Sequence, residues 1–98
     1  MKFKNIYYFQ SILAIGGIET FFYYLAKKYK DYDLAIVYKY CNEQQLKRLK
    51  KYVKCIEYKS GMTFECEHAF FNFNTDIIDS IKAKEYYLVL LKVLIHII

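Results

Sequence analysis

An adjacent glycine pair, Gly16-Gly17, stands between a short apolar run and an amphipathic segment, and no other feature constrains the fold of this 98-residue chain as tightly. The run Asn5-Ile6-Tyr7-Tyr8-Phe9 reads as a buried strand over residues 6–9. From Ile18 onward the apolar residues Ile18, Phe21, Phe22, Leu25, Ala26 and Tyr29 recur at helical spacing and predict a helix over 18–30. Lys27, Lys28 and Lys30 fall in its last turn, where cations complement the negative end of the helix dipole. A strand, a glycine turn and a helix in that order make a corner where backbone N–H groups can face an anion, because glycine lets the chain come close. A tight strand-to-helix turn can also want glycine for purely structural reasons.

The remainder of the chain continues the alternation. Asp31-Tyr32-Asp33 breaks the first helix and leads into a strand over 34–40. Asn42 caps a second helix from Glu43 to about Tyr52, with Leu46, Leu49 and Val53 on its inner face. A third strand is expected at 53–58, a turn at Ser60-Gly61, a short extra strand at 62–66 and a fourth strand at 69–73. Asn74-Thr75-Asp76 opens a short helix or turn containing Ile77, Ile78 and Ile81, and a fifth strand follows at 86–91. This β-α-β-α-β order predicts one α/β domain on a parallel sheet with right-handed crossovers. With 56% apolar residues and no proline, the chain is expected to fold rather than stay disordered.

The string Ile15-Gly16-Gly17-Ile18-Glu19-Thr20-Phe21, continued by Tyr24-Leu25-Ala26, resembles the opening of the family 4 glycosyltransferases. In that family the first strand is followed by Gly-Gly-x-Glu and a helix ending near Leu-Ala. The resemblance extends through 33–40, 45–58 and 69–88. It implies a partial Rossmann-like parallel sheet flanked by helices, the first half of a GT-B amino-terminal domain. The parent reaction would move a sugar from a nucleotide-sugar donor to an envelope polysaccharide or lipid-linked acceptor. Gly16 and Gly17 are the positions onto which the donor-phosphate-facing turn is carried. Residues 1–98 would form a single partial domain, with the nucleotide-sugar domain absent and no catalysis by this chain alone. The family's His- and Asp-bearing loop after the fifth strand has no counterpart in Lys92-Val93-Leu94-Ile95-His96-Ile97-Ile98, an ending that reads as a truncation or a shifted frame. No catalytic residue is therefore assigned.

Other chemistries are disfavoured by what the motifs lack. The glycines are adjacent and no third follows, so there is no dinucleotide fingerprint, and strand two ends Val37-Tyr38-Lys39-Tyr40 without an acid for a ribose hydroxyl. No Walker lysine follows either, and no cofactor is expected. Glu19, in a helix's first turn, suits the dipole and would repel a diphosphate, so its role is structural. Cys66 and His68, two apart, would share a face of a strand, but two ligands make no zinc site and no metal is expected. Asp76 and Asp79 are expected to start and cap a helical turn. The three cysteines form no C-x-x-C pair and, without a signal peptide, are expected to be reduced thiols in a cytoplasmic protein.

The net charge of +5 rests on lysine, with Arg48 the only arginine, which argues against nucleic acid as the partner. Lys47, Arg48, Lys50, Lys51 and Lys54 form the densest cluster and are expected to project outward from the second helix. They read as a solvated face, as contacts to an anionic membrane surface, which would make the protein peripheral at the inner membrane face, or as a polyanion site, the last weakened by the scarcity of arginine. The alternative to the transferase reading is a small non-enzymatic α/β module that binds a protein partner or an anionic surface. The apolar tail over 86–98 is too short for a spanning helix of roughly 20 residues. Its β-prone segments predict self-association through an exposed sheet edge.

Overall fold

The computed structural model describes residues 1–12, 33–90 and 93–97. Six strands form one sheet: β1 (Asn5–Ile12), β2 (Leu34–Cys41), β3 (Lys54–Glu57), β4 (Phe64–Asn72), β5 (Ile81–Leu90) and β6 (Val93–His96). Their order across the sheet is β3-β2-β1-β4-β5-β6. All neighbours run parallel except β5 and β6, which are antiparallel. The protein is therefore α/β with a mostly parallel sheet, mixed at one edge. The expected helix over 18–30 and the Gly16-Gly17 turn lie outside the described residues.

The central strands are central because they are apolar on both faces. Ile6, Tyr7, Tyr8 and Phe9 in β1 and the run Leu34, Ala35, Ile36, Val37 and Tyr38 in β2 are all buried. A strand that reads as continuous hydrophobic sequence needs cover above and below. On one face Tyr7, Phe9, Ile12, Leu34 and Ile36 pack with Leu49 and Val53. Leu49 comes from α1 (Glu43–Lys50), the one α-helix among the described residues. On the opposite face Ile6, Tyr8, Val37, Ala69 and Phe71 pack with Phe64, Ile77 and Ile81. The connections after β3 and β4, through Tyr58, Met62 and Ile78, cover that side.

Helix α1 starts as the sequence leads one to expect. The Asn42 side chain accepts from the backbone N–H groups of Gln44 and Gln45, at 2.8 and 3.4 Å, satisfying donors that the first helical turn leaves open. Its inner face differs from expectation. Leu49 and Val53 are buried, but Leu46 is only half-buried and the fully enclosed neighbour is Gln45, 1% exposed. The helix stops at Lys50 and β3 is four residues long, shorter than the segment expected over 53–58.

The right half of the sheet departs further. The strands expected at 62–66 and 69–73 are one strand, β4. The short helix or turn expected to contain Ile77, Ile78 and Ile81 is a single 3-10 turn, Ile78–Ser80, and β5 begins at Ile81, five residues before the expected start. Ile81 is 1% exposed and aligned with Phe64, so its burial favours sheet over helix at that point. Both errors have one cause. Along β4 the side chains packed on the opposite face change from Phe64 and Cys66 to Ala69 and Phe71, and along β5 from Ile81 and Ala83 to Tyr86 and Leu88. The alternation slips by one residue in both strands while their register stays unbroken, with Cys66 level with Ala83 and Ala69 level with Tyr86. Glu67 and His68 both donate to the Lys4 carbonyl, at 3.0 and 3.1 Å, the crowding expected of a local bulge.

β6 pairs with β5 and so forms one edge of the sheet, with β3 at the other. Among the described residues no helix is long and apolar enough to cross a membrane.

Candidate functional site

In open parallel sheets, ligands collect outside the carboxyl ends of the strands, where the strand order reverses. Here that reversal lies between β1 and β4. Phe9 of β1 is level with Tyr38 of β2 on one side and Asn72 of β4 on the other. One step further toward the rim come Lys39 and Phe73, with the exposed Gln10 and Ser11 of β1 between them. Tyr40, level with Ser11, is 61% exposed.

Lys39 is held by Asp76, whose carboxylate accepts from Nζ at 2.5 Å. Asp76 belongs to the connection between β4 and β5, so the pair spans from β2 across β1. Asn74 fixes the approach, its side chain accepting from the Asp76 N–H at 2.9 Å. The Tyr8 hydroxyl lies against the same carboxylate, close enough to feel its charge without meeting strict hydrogen-bond geometry. Tyr58 packs its ring 5.7 Å from Lys39 Nζ and shares a 2.9 Å hydrogen bond with Ser80. Strands β1 and β2 and the connections after β3 and β4 thus deliver one polar cluster to one end of the sheet.

The electrostatics of the cluster follow from these contacts. Partial burial pushes the Asp76 carboxyl up, but the Lys39 ammonium and the Tyr8 hydroxyl outweigh it and hold the group below its usual range. The bond to Asp76 raises Lys39 above its ordinary value. Burial, and then the nearby carboxylate, push the Tyr8 phenol far up. The pair therefore stays charged, and Tyr8 stays neutral, across the physiological range. Such a cluster can bind and orient, but it offers no group poised to exchange a proton near neutral pH. Sequence reasoning expected Asp76 to start a helical turn and gave Lys39 no role.

Of the residues singled out from sequence, Gly16, Gly17 and Glu19 lie outside the described residues. The basic cluster is only partly a single outward face. Lys47, Lys50, Lys51 and Lys54 are exposed, but Arg48 is half-buried, with Nη1 3.4 Å from the Gln45 side-chain oxygen. Lys54 starts β3 rather than belonging to the helix, and its Nζ stands 5.6 Å over the Phe3 ring.

Cys66 and His68 do not share a face. The slip in alternation sends Cys66 into the opposite-face core and leaves His68 beside Glu85, Nδ1 to Oε2 3.9 Å. His96 Nε2 lies 3.8 Å from that same oxygen, and the Tyr87 hydroxyl donates to it. The Tyr87 bond, then the two histidines, draw the Glu85 carboxyl below its usual range against some desolvation. These side chains end a row of rings running across β1, β4, β5 and β6: Tyr7, Phe70, Tyr87 and His96, with centroids 5.8, 5.0 and 4.9 Å apart. Among the described residues no three His, Cys, Asp or Glu side chains are placed to hold a metal ion. Burial pushes the thiols of Cys41, Cys55 and Cys66 up to about 11, 12 and 11, which leaves them unreactive at neutral pH.

At the other end of the sheet lies an open groove of about 720 Å³, lined by Lys2, Lys4, Lys82 and Lys84 but also by Asp33, Glu65 and Glu67. Its charges interleave, as in the Lys84–Glu67 pair at 3.7 Å, so it presents no single sign to a ligand. The carboxyl rim is the better candidate. No family model, curated protein or solved structure matches the chain.

Proposed function

We propose that this domain is the amino-terminal, Rossmann-like part of a GT-B glycosyltransferase that uses a nucleotide-sugar donor and an envelope polysaccharide or lipid-linked acceptor. One observation carries the reading. The parallel strands stand in the order β3-β2-β1-β4-β5, so residues 13–32, with Gly16-Gly17 near their start, leave the carboxyl end of the central strand. That is the rim, beside the reversal of strand order, where a doubly wound sheet receives phosphate. The donor diphosphate faces Gly16 and Gly17, Glu19 shapes the turn, and the nucleotide and sugar are held mainly by a second domain. The protein works in the cytoplasm, at the inner membrane face.

Titrating the 15N-labelled chain with UDP-, GDP- and ADP-glucose tests this. The amides of Gly16 and Gly17 should shift with one of them, without sugar transfer. Gly17→Val should weaken that binding about tenfold or more, since a β-branched side chain blocks close approach and tenfold corresponds to about 1.4 kcal/mol. Glycine amides unmoved by all three donors would overturn the phosphate-facing turn. Turnover by the chain alone would overturn the need for a second domain.

A second reading, a module docking on an anionic surface, is favoured by the exposure of Lys47, Lys50, Lys51 and Lys54. Each cation near an anionic bilayer contributes about 1 kcal/mol, and added salt screens it. Vesicles containing phosphatidylserine should therefore sediment the wild-type chain at low salt and release it at high salt. A variant with all four lysines changed to glutamine should stay in the supernatant; equal sedimentation by both would leave these lysines as a solvated face.

A further inference from the structure

The two edges of the sheet, β3 and β6, are built differently. β3 begins on Lys54 and ends on Glu57, both exposed, and charges at an edge discourage another strand from pairing there. β6 carries no lysine, arginine, aspartate, glutamate or proline. Ile95 within it and Ile97 just after it are large apolar residues left 39% and 37% exposed. Among the described residues nothing pairs with the outer side of β6.

The ladder with β5 fixes what that side offers. The Ile97 N–H donates to the Tyr86 carbonyl at 2.9 Å, and these two residues stand opposite each other, one step beyond the aligned pair of Tyr87 and His96. In an antiparallel ladder, hydrogen-bonded pairs alternate with pairs that turn their N–H and C=O groups away. The backbone groups of Ile95 and Val93 therefore point at β5, and those of Leu94 and His96 point outward. Ile95 lies opposite Leu88, which packs on the core of Ile6, Tyr8 and Phe71, so it shares that face. His96 takes the other face, with its ring against Tyr87.

We propose that β6 is a dimer interface, pairing antiparallel with β6 of a second copy about a two-fold axis that passes beside Ile95. A two-fold axis perpendicular to the sheet sets an edge strand antiparallel to its own copy, so one edge is self-complementary and assembly closes at two. Leu94 of each copy faces His96 of the other, the one register that pairs both outward residues of each edge. Ile95 then meets Ile95 of the second copy in a pair without mutual hydrogen bonds, with Cα atoms about 4.5 Å apart. The aligned apolar residues Phe71, Leu88 and Ile95 continue across the axis into the same three residues of the other copy, and the exposed isoleucines leave water. A contact made by one strand pair is small, so the dimer is a weak, reversible one. This inference goes beyond the transferase reading and does not rest on it.

Sedimentation velocity of the full chain, from about 1 µM to about 500 µM, should show a reversible monomer–dimer exchange and no larger species. Ile95→Lys should raise the dissociation constant about tenfold or more, because it sets like charges against each other across the axis. Its unfolding temperature, measured where the wild type is monomeric, should stay unchanged. A second measurement does not depend on that variant's folding. Ile95→Cys should cross-link into a dimer under mild oxidation, since the two thiols meet at the axis. Ile97→Cys should not, because its copy lies four residues along the opposing strand, about 14 Å away. The wild type, with its three native cysteines, is the control. A chain that stays monomeric at the highest concentration overturns the proposal, as does open-ended assembly. So does association that Ile95→Lys leaves unchanged, or cross-linking as efficient in Ile97→Cys or the wild type as in Ile95→Cys.

Discussion

Phe71→Ala is expected to destabilise the domain by about 3–5 kcal/mol, the usual cost of removing a fully buried ring from a core. Phe71 is 0% exposed and sits in β4, between β1 and β5. Its ring meets Tyr8 edge-on at 6.1 Å and Tyr86 in a stacked arrangement at 6.3 Å, so alanine would remove contacts to both neighbouring strands. This face is covered by connections rather than by a helix among the described residues, and β-strands on either side cannot close inward without losing their pairing. The cavity would therefore stay largely open. Since whole domains are stable by only about 5–15 kcal/mol, much of the margin would be gone. Urea unfolding followed by circular dichroism measures it, and a loss below about 1 kcal/mol would show that the opposite-face core is not packed as described.

The elements legible in the sequence are those in which one local rule acts alone. β1 and β2 are unbroken apolar runs, so their place at the sheet's centre could be read from composition. α1 announces itself through Asn42, whose side chain does what an N-cap does. β4 and β5 obey two rules in succession. The period of two holds up to Cys66 and Ala83, slips by one residue, and resumes at Ala69 and Tyr86. A reader following the alternation divides β4 at Glu67 and His68 and starts β5 late. Nothing local marks the slip, because it arises from the crowding of two N–H groups on one carbonyl of the chain leading into β1. β6 was equally hidden, since an apolar run after Leu90 says nothing about the direction in which it returns.

The same division holds for the candidate site. Gly16-Gly17 and the lysine cluster are contiguous and catch the eye. Lys39 and Asp76 lie 37 residues apart and meet only because the connection after β4 folds back over β1. Phe73 is hidden for the opposite reason: its residue type argues against the left-handed backbone it adopts, with φ at 62°, so propensity points away from it. Gln45 shows how a strong local rule can mislead. Helical spacing offered Leu46 as the inward residue, yet Gln45 is the enclosed one, with its Oε1 accepting from Arg48.

Asp76→Ala is expected to cost about 1–3 kcal/mol, because it strips the acceptor facing a phenol that is fully enclosed. Tyr8 is 0% exposed, so water cannot replace the lost carboxylate without opening the sheet. Tyr8→Phe should be nearly neutral, since it removes the polar atom together with its need for a partner and the ring keeps its contacts with Phe71. The double variant should then lose less than Asp76→Ala alone, as no orphaned hydroxyl remains. Acid should act in the same direction as the single variant. The Asp76 carboxyl is held below its ordinary range in the folded protein, so its contribution is complete above the unfolded carboxylate value of about 3.9 and fades as pH falls through the lower folded value. Solvent reaches the Lys39–Asp76 pair, with 31% of the Lys39 and 27% of the Asp76 side chain accessible, so the acid effect should be smaller than the effect of truncation. Chemical denaturation of the four proteins at neutral pH and at pH near 3 closes the cycle. Strictly additive losses would mean that Tyr8 and Asp76 do not interact, and the rim would then lack the buried support that fixes Asp76 above Lys39.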